Sequence, residues 1–448
     1  MFDVLLWSGI IIAIAGMIYA FDGSKDVFHP LIYISPMLLF AYGWMPIRLQ
    51  SLRGLEGYFQ MDQLVFVQFV YVLGILAFVL GCLSIPVRLD GPKPTHPSMD
   101  DRGRRILFIG GCIVAMAGFT AWFISILNVG GIQSAFGRPY SGGWDDSGYI
   151  RDASLFLFAG VSLILASTVD ARMTLKHVIG LAFFISPLLL QAVFTARRGP
   201  TFMILVTVGM GWFFYKGRRP PIITTLLAGA LGGYLILFIV ANRQSLYMGS
   251  DFDFKTDVSN ITESSDTGNE YIYGAGSLLS AEQRGRYFWG RRYLAQILVR
   301  PIPRAVWPTK YTDFGVPELE HNAGTGEGFA DALGWEGAAG SAPTIIADLW
   351  LEFRWLCIPA LWLIGRAYGY TWNKARRVGG VWTSQYIILA SLSIYLVMQT
   401  MEAVIFRVLM LSLPVWFVWR KARTRAADDR RATRERAFLQ IAELERSN

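Results

Sequence analysis

Between Arg284 and Lys310 the chain reads RGRYFWGRRYLAQILVRPIPRAVWPTK. This places Arg284, Arg286, Arg291, Arg292, Arg300, Arg304 and Lys310 in one stretch without an Asp or Glu. The flanks are acidic: Asp251, Asp253, Asp257, Glu263, Asp266 and Glu270 precede it, and Asp313, Glu318, Glu320, Glu327, Asp331 and Glu336 follow. Guanidinium forks match phosphate oxygens, so a cationic strip laced with aromatic residues suits an anionic amphipathic ligand such as a lipid-linked phosphate. The alternative is that the acidic flanks neutralise the strip and the segment folds on itself.

Other residues could join it. Arg197 and Arg198 stand in FTARRGPTFMIL, at a short turn that Gly199 and Pro200 close before the next helix. Proline fits a first helical turn, so both guanidiniums would be held at the membrane surface, gripping phosphate or snorkelling to headgroups. Arg243 opens the long polar interval that holds the strip. His321, in ELEHNAGTGEGFADALGW, could accept a proton near neutral pH, with Glu327 and Asp331 as rival bases; the alternative is a hydrogen-bonding loop residue. The glycines around it make a permissive backbone, a lid or a plain connector. Asp251-Phe252-Asp253 has the spacing of a metal-holding Asp-x-Asp but equally reads as a solvated acidic patch.

These residues must be positioned by membrane helices. The 448 residues are 53% hydrophobic and only 17% charged, against about 25% charged in soluble domains. The formal charge of +8 follows from Lys and Arg concentrating in cytoplasmic loops, and nucleic acid is not expected as a partner. Cys82, Cys112 and Cys357 lie in apolar runs, and the four histidines (His29, His96, His177, His321) are scattered, so no disulfide framework, metal site or cofactor is implied. About eleven apolar runs are long enough to span: 3–21, 30–48, 63–87, 106–127, 153–168, 176–195, 200–216, 222–241, 343–370, 382–400 and 403–419. The sequence therefore predicts an all-α polytopic transmembrane bundle. Helices 1–8 fall in 1–241, a large loop with short amphipathic helices in 242–342, helices 9–11 in 343–420, and a basic tail in 421–448.

Orientation follows from charge. Arg88 to Arg105, Arg172 and Lys176, Lys216 to Arg219, Lys374 to Arg377 and the tail all fall on one side, which should be cytoplasmic. The N-terminus and the 242–342 loop then face outward, against the usual charge bias. Within the loop, Tyr293, Leu294, Ile297 and Leu298 mark one face of a short helix lying on the bilayer. Pro301, Pro303 and Pro308 predict an extended, stiff backbone carrying Arg304, Trp307 (an interfacial anchor) and Lys310. Asp348, Glu352 and Arg354 near one span, and Glu402 and Arg407 near another, should be paired or functional.

Together, HPLIYISPMLLFAYGWMPI, the ARRG turn, and PIPRAVWPTK followed by GTGEGFADALGW resemble the bacterial O-antigen and exopolysaccharide repeat polymerases. PIPR-x-x-WP-x-K is the most specific piece. The resemblance implies a GT-C-like, metal-independent, inverting glycosyltransferase of the bacterial inner membrane. It would extend undecaprenyl-diphosphate-linked glycan at the periplasmic face, beside membrane lipid, with a chain-length regulator and a flippase as candidate partners. Arg197 or Arg198 matches the family's short-turn arginine and Arg304 its Pro-Arg arginine. His321 matches, in general placement, the histidine of the related O-antigen ligases. Arg243, Arg291, Arg292, Arg300, Trp307 and Lys310 would assist binding. A ligase and a lipid-linked oligosaccharide flippase or transporter are the alternatives. The outward N-terminus departs from the inward one usual in that family.

Overall fold

The computed structural model describes residues 1–51, 55, 57–88, 99–138, 148–194, 198–242, 245–251, 270–317, 319 and 342–423. Among them the chain is all α, without a strand. Among the described residues eight helices are long and apolar enough to cross a membrane, making this a multi-pass membrane protein. These are α1 (Phe2–Ser24), α2 (Pro30–Ser51), α3 (Met61–Leu83) and α4 (Asp101–Asn128), then α6 (Leu175–Phe194), α8 (Ile222–Ile239), α12 (Val381–Met398) and α13 (Met401–Arg423). Their ends carry ordinary start signals. The Asp100 carboxylate accepts from the Gly103 amide at 2.8 Å to cap α4, and Gln60 and Gln63 form a capping box on α3.

Three of the expected spans take other forms. Run 153–168 contains α5 (Phe156–Ala166), which is only 11 residues long and buried from Leu157 to Ala166. Run 200–216 becomes α7 (Gly199–Tyr215), shorter than a full crossing. The run 343–370 is broken. Helix α10 (Thr344–Phe353) ends where Arg354 adopts φ +51°, and α11 (Cys357–Arg377) then leaves in another direction. A positive φ at a non-glycine residue is uncommon. Here it lets the Arg354 guanidinium reach Glu282 at 2.6 Å.

Contacts along α3 define the hairpin. Gly81 and Gly365 let α3 and α11 touch backbone to backbone; a Cβ on Gly365 would lie 2.2 Å from the Phe78 carbonyl oxygen. Helix α11 runs parallel to α3, from Leu361 beside Gly74 to Asn373 beside Pro86, with Trp355 of the preceding turn beside Phe66. Helix α10 runs the opposite way, with Ile346 against Gly74 and Trp350 against Phe66. A second half-length helix, α9 (Glu270–Arg284), climbs beside it. The Tyr271 hydroxyl donates to Gln68 at 3.0 Å, Gly274 abuts Pro343, and Glu282 meets Arg354. Both helices thus begin about halfway along α3 and rise to its Met61 end, which we call the loop end.

The cationic strip follows α9. It forms a helical turn, Arg291–Leu294, that widens into a π-turn, Ala295–Val299. Leu294, Ile297 and Leu298 are exposed, whereas Arg292, Gln296 and Arg300 are buried. The outward face is therefore apolar, whereas the inward face mixes Arg292, Gln296 and Arg300 with Ala295 and Val299, which pack on Tyr311 and Val316. Tyr293 departs from the apolar face expected of it and is buried on Asp348. The proline-rich run is also not extended. Val306 and Trp307 amides donate back to the Pro303 carbonyl at 3.0 and 3.1 Å, so it coils into successive turns.

Candidate functional site

Arg292, Gln296 and Arg300 are spaced four residues apart and share one helix face, and the two arginines enter different ion clusters. Arg292 meets Asp348 at 2.7 Å, Glu352, and Glu402 at 3.2 Å, with all four side chains fully buried. Asp348 also accepts from the Tyr293 hydroxyl at 2.6 Å and the Met401 amide at 2.9 Å, and Glu352 accepts from the Gly290 amide at 2.6 Å. Neither Glu402 oxygen has an aligned hydrogen-bond donor. One guanidinium therefore serves three carboxylates, tying α10 and α13 to the strip.

The second cluster has the opposite sign. Asp152, 1% exposed, pairs with Arg300 and, at 3.3 Å, with Arg407. Arg151 is the next residue in the chain. Its pKa is lowered by burial and by the like charges of Arg407 and Arg300, against the opposing pull of Asp152. Burial alone would raise the Asp152 carboxyl, but Arg407, Arg300 and Arg151 together hold it below the ordinary aspartate range. Among the described residues, three arginines thus gather around one aspartate. Aromatic faces hold two of them: Arg300 lies 4.7 Å from the Phe406 ring centre and Arg407 lies 4.8 Å from that of Tyr395. Gly199 sits so close to Tyr395 that a Cβ there would be 2.2 Å from its hydroxyl oxygen. The start of α7, just after Arg198 in the chain, therefore borders this cluster.

The residues expected from sequence divide accordingly. Arg197, Arg243, His321 and Glu327 lie outside the described residues, as does the side chain of Arg198. Arg292 is enclosed among carboxylates. Lys310 is 1% exposed, and its ammonium donates to the carbonyls of Val299, Arg300 and Ile302 at 3.2, 3.1 and 2.6 Å. It closes the end of the π-turn, where backbone acceptors would otherwise go unpaired. Arg300 belongs to the Asp152 cluster. Arg291 is exposed, and exposed Arg304 lies over the Tyr311 ring at 5.9 Å. The Trp307 indole donates to Asp313 at 2.6 Å, so Trp307 is tied into its own turn and, with Thr309, holds that carboxyl below its usual range.

Arg151, Asp152 and Arg407 were not foreseen as binding residues. Asp152 and Arg407 are 255 positions apart, and no local spacing joins them. The available signal was charge at the ends of apolar runs. Among the described residues no group of three His, Cys, Asp or Glu side chains could hold a metal ion. No family model matches the chain, and neither a curated protein nor a solved structure matches it. Three guanidiniums around one carboxylate, partly desolvated between aromatic rings, can bind a polyanion of phosphate type.

Proposed function

We propose that this chain is a membrane glycosyltransferase that polymerises oligosaccharide repeats carried on undecaprenyl diphosphate at the periplasmic face of the bacterial inner membrane. The observation that carries the proposal is the meeting of Arg151, Arg300 and Arg407 around a single Asp152, beside the first residues of α7. In this reading α5, α7 and α11 complete an eleven-span, GT-C-like bundle, and the loop end faces outward. Exposed Arg291 and Arg304 extend the cationic surface away from the cluster, with Arg197, Arg198 and Arg243 as further contributors.

The chemistry follows from charge. A sugar hydroxyl of the incoming repeat attacks the anomeric carbon of the growing glycan, inverting it, as the bond to the diphosphate oxygen breaks. Negative charge grows on the departing diphosphate, and guanidiniums fixed in place stabilise it without reorganising. His321 or Glu327 takes the hydroxyl proton. A ligase would use the same steps with a different acceptor. A lipid-linked oligosaccharide transporter is the rival that one observation favours, because α9 and α10 are half-length helices starting midway along α3, and broken helices line the substrate sites of many transporters.

Glycan analysis of cells carrying Arg407→Ala, Arg151→Ala, Arg304→Ala or His321→Ala separates these readings. Loss of a polymerase leaves single capped repeats. Loss of a ligase strands long chains on the carrier lipid, and loss of a transporter keeps repeats inside. We expect single repeats; normal chain length in the Arg407 and Arg151 variants at unchanged protein level would refute the assignment.

A further inference from the structure

Asp152 has an unusual position for a structural counter-ion. It is 1% exposed, accepts from Arg300 and Arg407 through different oxygens, and is followed at once by the turn into α5. Its Oδ2 accepts from Nη2 of Arg300 and its Oδ1 faces both Nε and Nη2 of Arg407, at 3.4 and 3.3 Å. Two oxygens of one anion, each engaged by a separate guanidinium, is also the arrangement a phosphate group adopts between two arginines. Arg151 stands alongside with burial and two like charges working against it, so an added anion would relieve its environment. The helix carrying Arg151 and Asp152, Gly148–Ala153, is only 6 residues long. Two bonds within this segment, the Ser154 amide to the Ile150 carbonyl at 3.2 Å and the Ser154 hydroxyl to the Arg151 carbonyl at 2.6 Å, leave the Asp152 side chain out of the local framework.

We propose that Asp152 is a resident stand-in for a phosphate group: it occupies Arg300 and Arg407 and is displaced when a diphosphate binds. The inference rests on the anion site argued above and adds a device to it. A carboxylate that must be expelled weakens binding of any lone anion. A diphosphate, with more oxygens and charge, can outcompete it by engaging Arg151 as well. Asp152 thereby discriminates against monoanionic headgroups, which are abundant in a membrane, and keeps the arginines ordered between turnovers.

The test uses the full chain in neutral detergent micelles at fixed ionic strength, with inorganic pyrophosphate, farnesyl diphosphate and phosphatidylglycerol as separate probes. Asp152→Asn should bind pyrophosphate roughly tenfold more tightly than the native protein, the gain expected when one competing charge-assisted pair is removed. It should also begin to bind phosphatidylglycerol. Farnesyl diphosphate binding more tightly than pyrophosphate identifies the source as a lipid; equal binding identifies a free diphosphate, and either is compatible with displacement. Unchanged or weaker binding by Asp152→Asn, with Arg407→Ala abolishing it, would overturn the stand-in role while leaving the anion site intact. If native protein binds none of the probes, or Arg407→Ala and Arg151→Ala bind like native, the anion site itself fails and the stand-in with it. Labelling of native Asp152 by a hydrophobic carbodiimide, read by peptide mass spectrometry, needs no variant. Added pyrophosphate should increase labelling severalfold, and no increase would overturn displacement.

Discussion

Replacing Arg292 with Met removes the one cation from a buried group of three carboxylates. The native guanidinium is 0% exposed and lies 2.7 Å from Asp348 and 3.2 Å from Glu402, in addition to its bond with Glu352. Methionine fills much of the volume, so the loss is chiefly electrostatic. Removing one partner from a buried ion pair typically costs about 3–5 kcal/mol, because the other charge is left desolvated and unpaired. Asp348 keeps donors from Tyr293 and the Met401 amide, and Glu352 keeps the Gly290 amide, which limits the damage at those two groups. Glu402 keeps none. At ~2 °C per kcal/mol in a large chain, the unfolding midpoint should fall by roughly 6–10 °C. Intrinsic fluorescence on heating in detergent can follow this, since the chain has 15 tryptophans, and Trp350 and Trp355 sit on the same helical hairpin. Glu402→Gln should behave oppositely: removing one carboxylate from the excess should leave the midpoint unchanged or raise it. The double variant should recover about 1–3 kcal/mol relative to Arg292→Met alone. A midpoint within 1 °C of native for Arg292→Met, or a loss in Glu402→Gln as large as in Arg292→Met, would refute this account of the charges.

Two further variants probe the rest of the frame. Asp26, buried between α1 and α2, accepts from Nε and Nη2 on one edge of the Arg376 guanidinium at 2.6 and 2.7 Å and from the Trp372 indole at 2.9 Å. Asp26→Asn should therefore cost about 3 kcal/mol in thermal unfolding. Burial opposes the native Asp26 carboxylate, yet Arg376 holds its folded pKa below the usual value, so its stabilisation is present above pH ~4 and is lost as pH falls through the folded value. Gly365→Leu should separate α11 from α3, because even a Cβ would stand 2.2 Å from the Phe78 carbonyl oxygen; a loss of about 1–3 kcal/mol or failure to accumulate in the membrane is expected, and normal stability would show that the helices can move apart freely.

Much of the bundle was legible from apolar run length alone. Phe2–Ser24 or Met61–Leu83 needs no tertiary information to be recognised as a membrane helix. The break at Arg354 was not legible, because its positive φ goes with a contact to Glu282, 72 positions away in sequence. The strip shows the same limit differently. Leu294, Ile297 and Leu298 do mark an exposed helical face, whereas Tyr293 turns inward; periodicity cannot say whether the residues off that face meet water or buried carboxylates. In a membrane protein both outcomes give the same sequence pattern. The Asp152 cluster is harder still, since its members come from three segments that only the completed fold brings together.

The two clusters also explain each other. Arg292 and Arg300 lie two turns apart on one face, so carboxylates and arginines of opposite excess come close enough to neutralise one another. Glu402 would be the natural extra partner for the arginines around Asp152; instead it is drawn to Arg292, and Gln296 intervenes on the helix between Arg292 and Arg300. Gln296 is fully buried and turns its carbonyl oxygen to Arg300 at 2.7 Å, supplying a neutral acceptor where a Glu would cancel the charge. Its amide nitrogen has no partner, a cost a purely structural spacer would not need to bear. A neutral residue at this position separates the acidic group that fastens α10 and α13 from the basic group beside α7. It preserves the positive excess on which the proposed grip of a diphosphate depends.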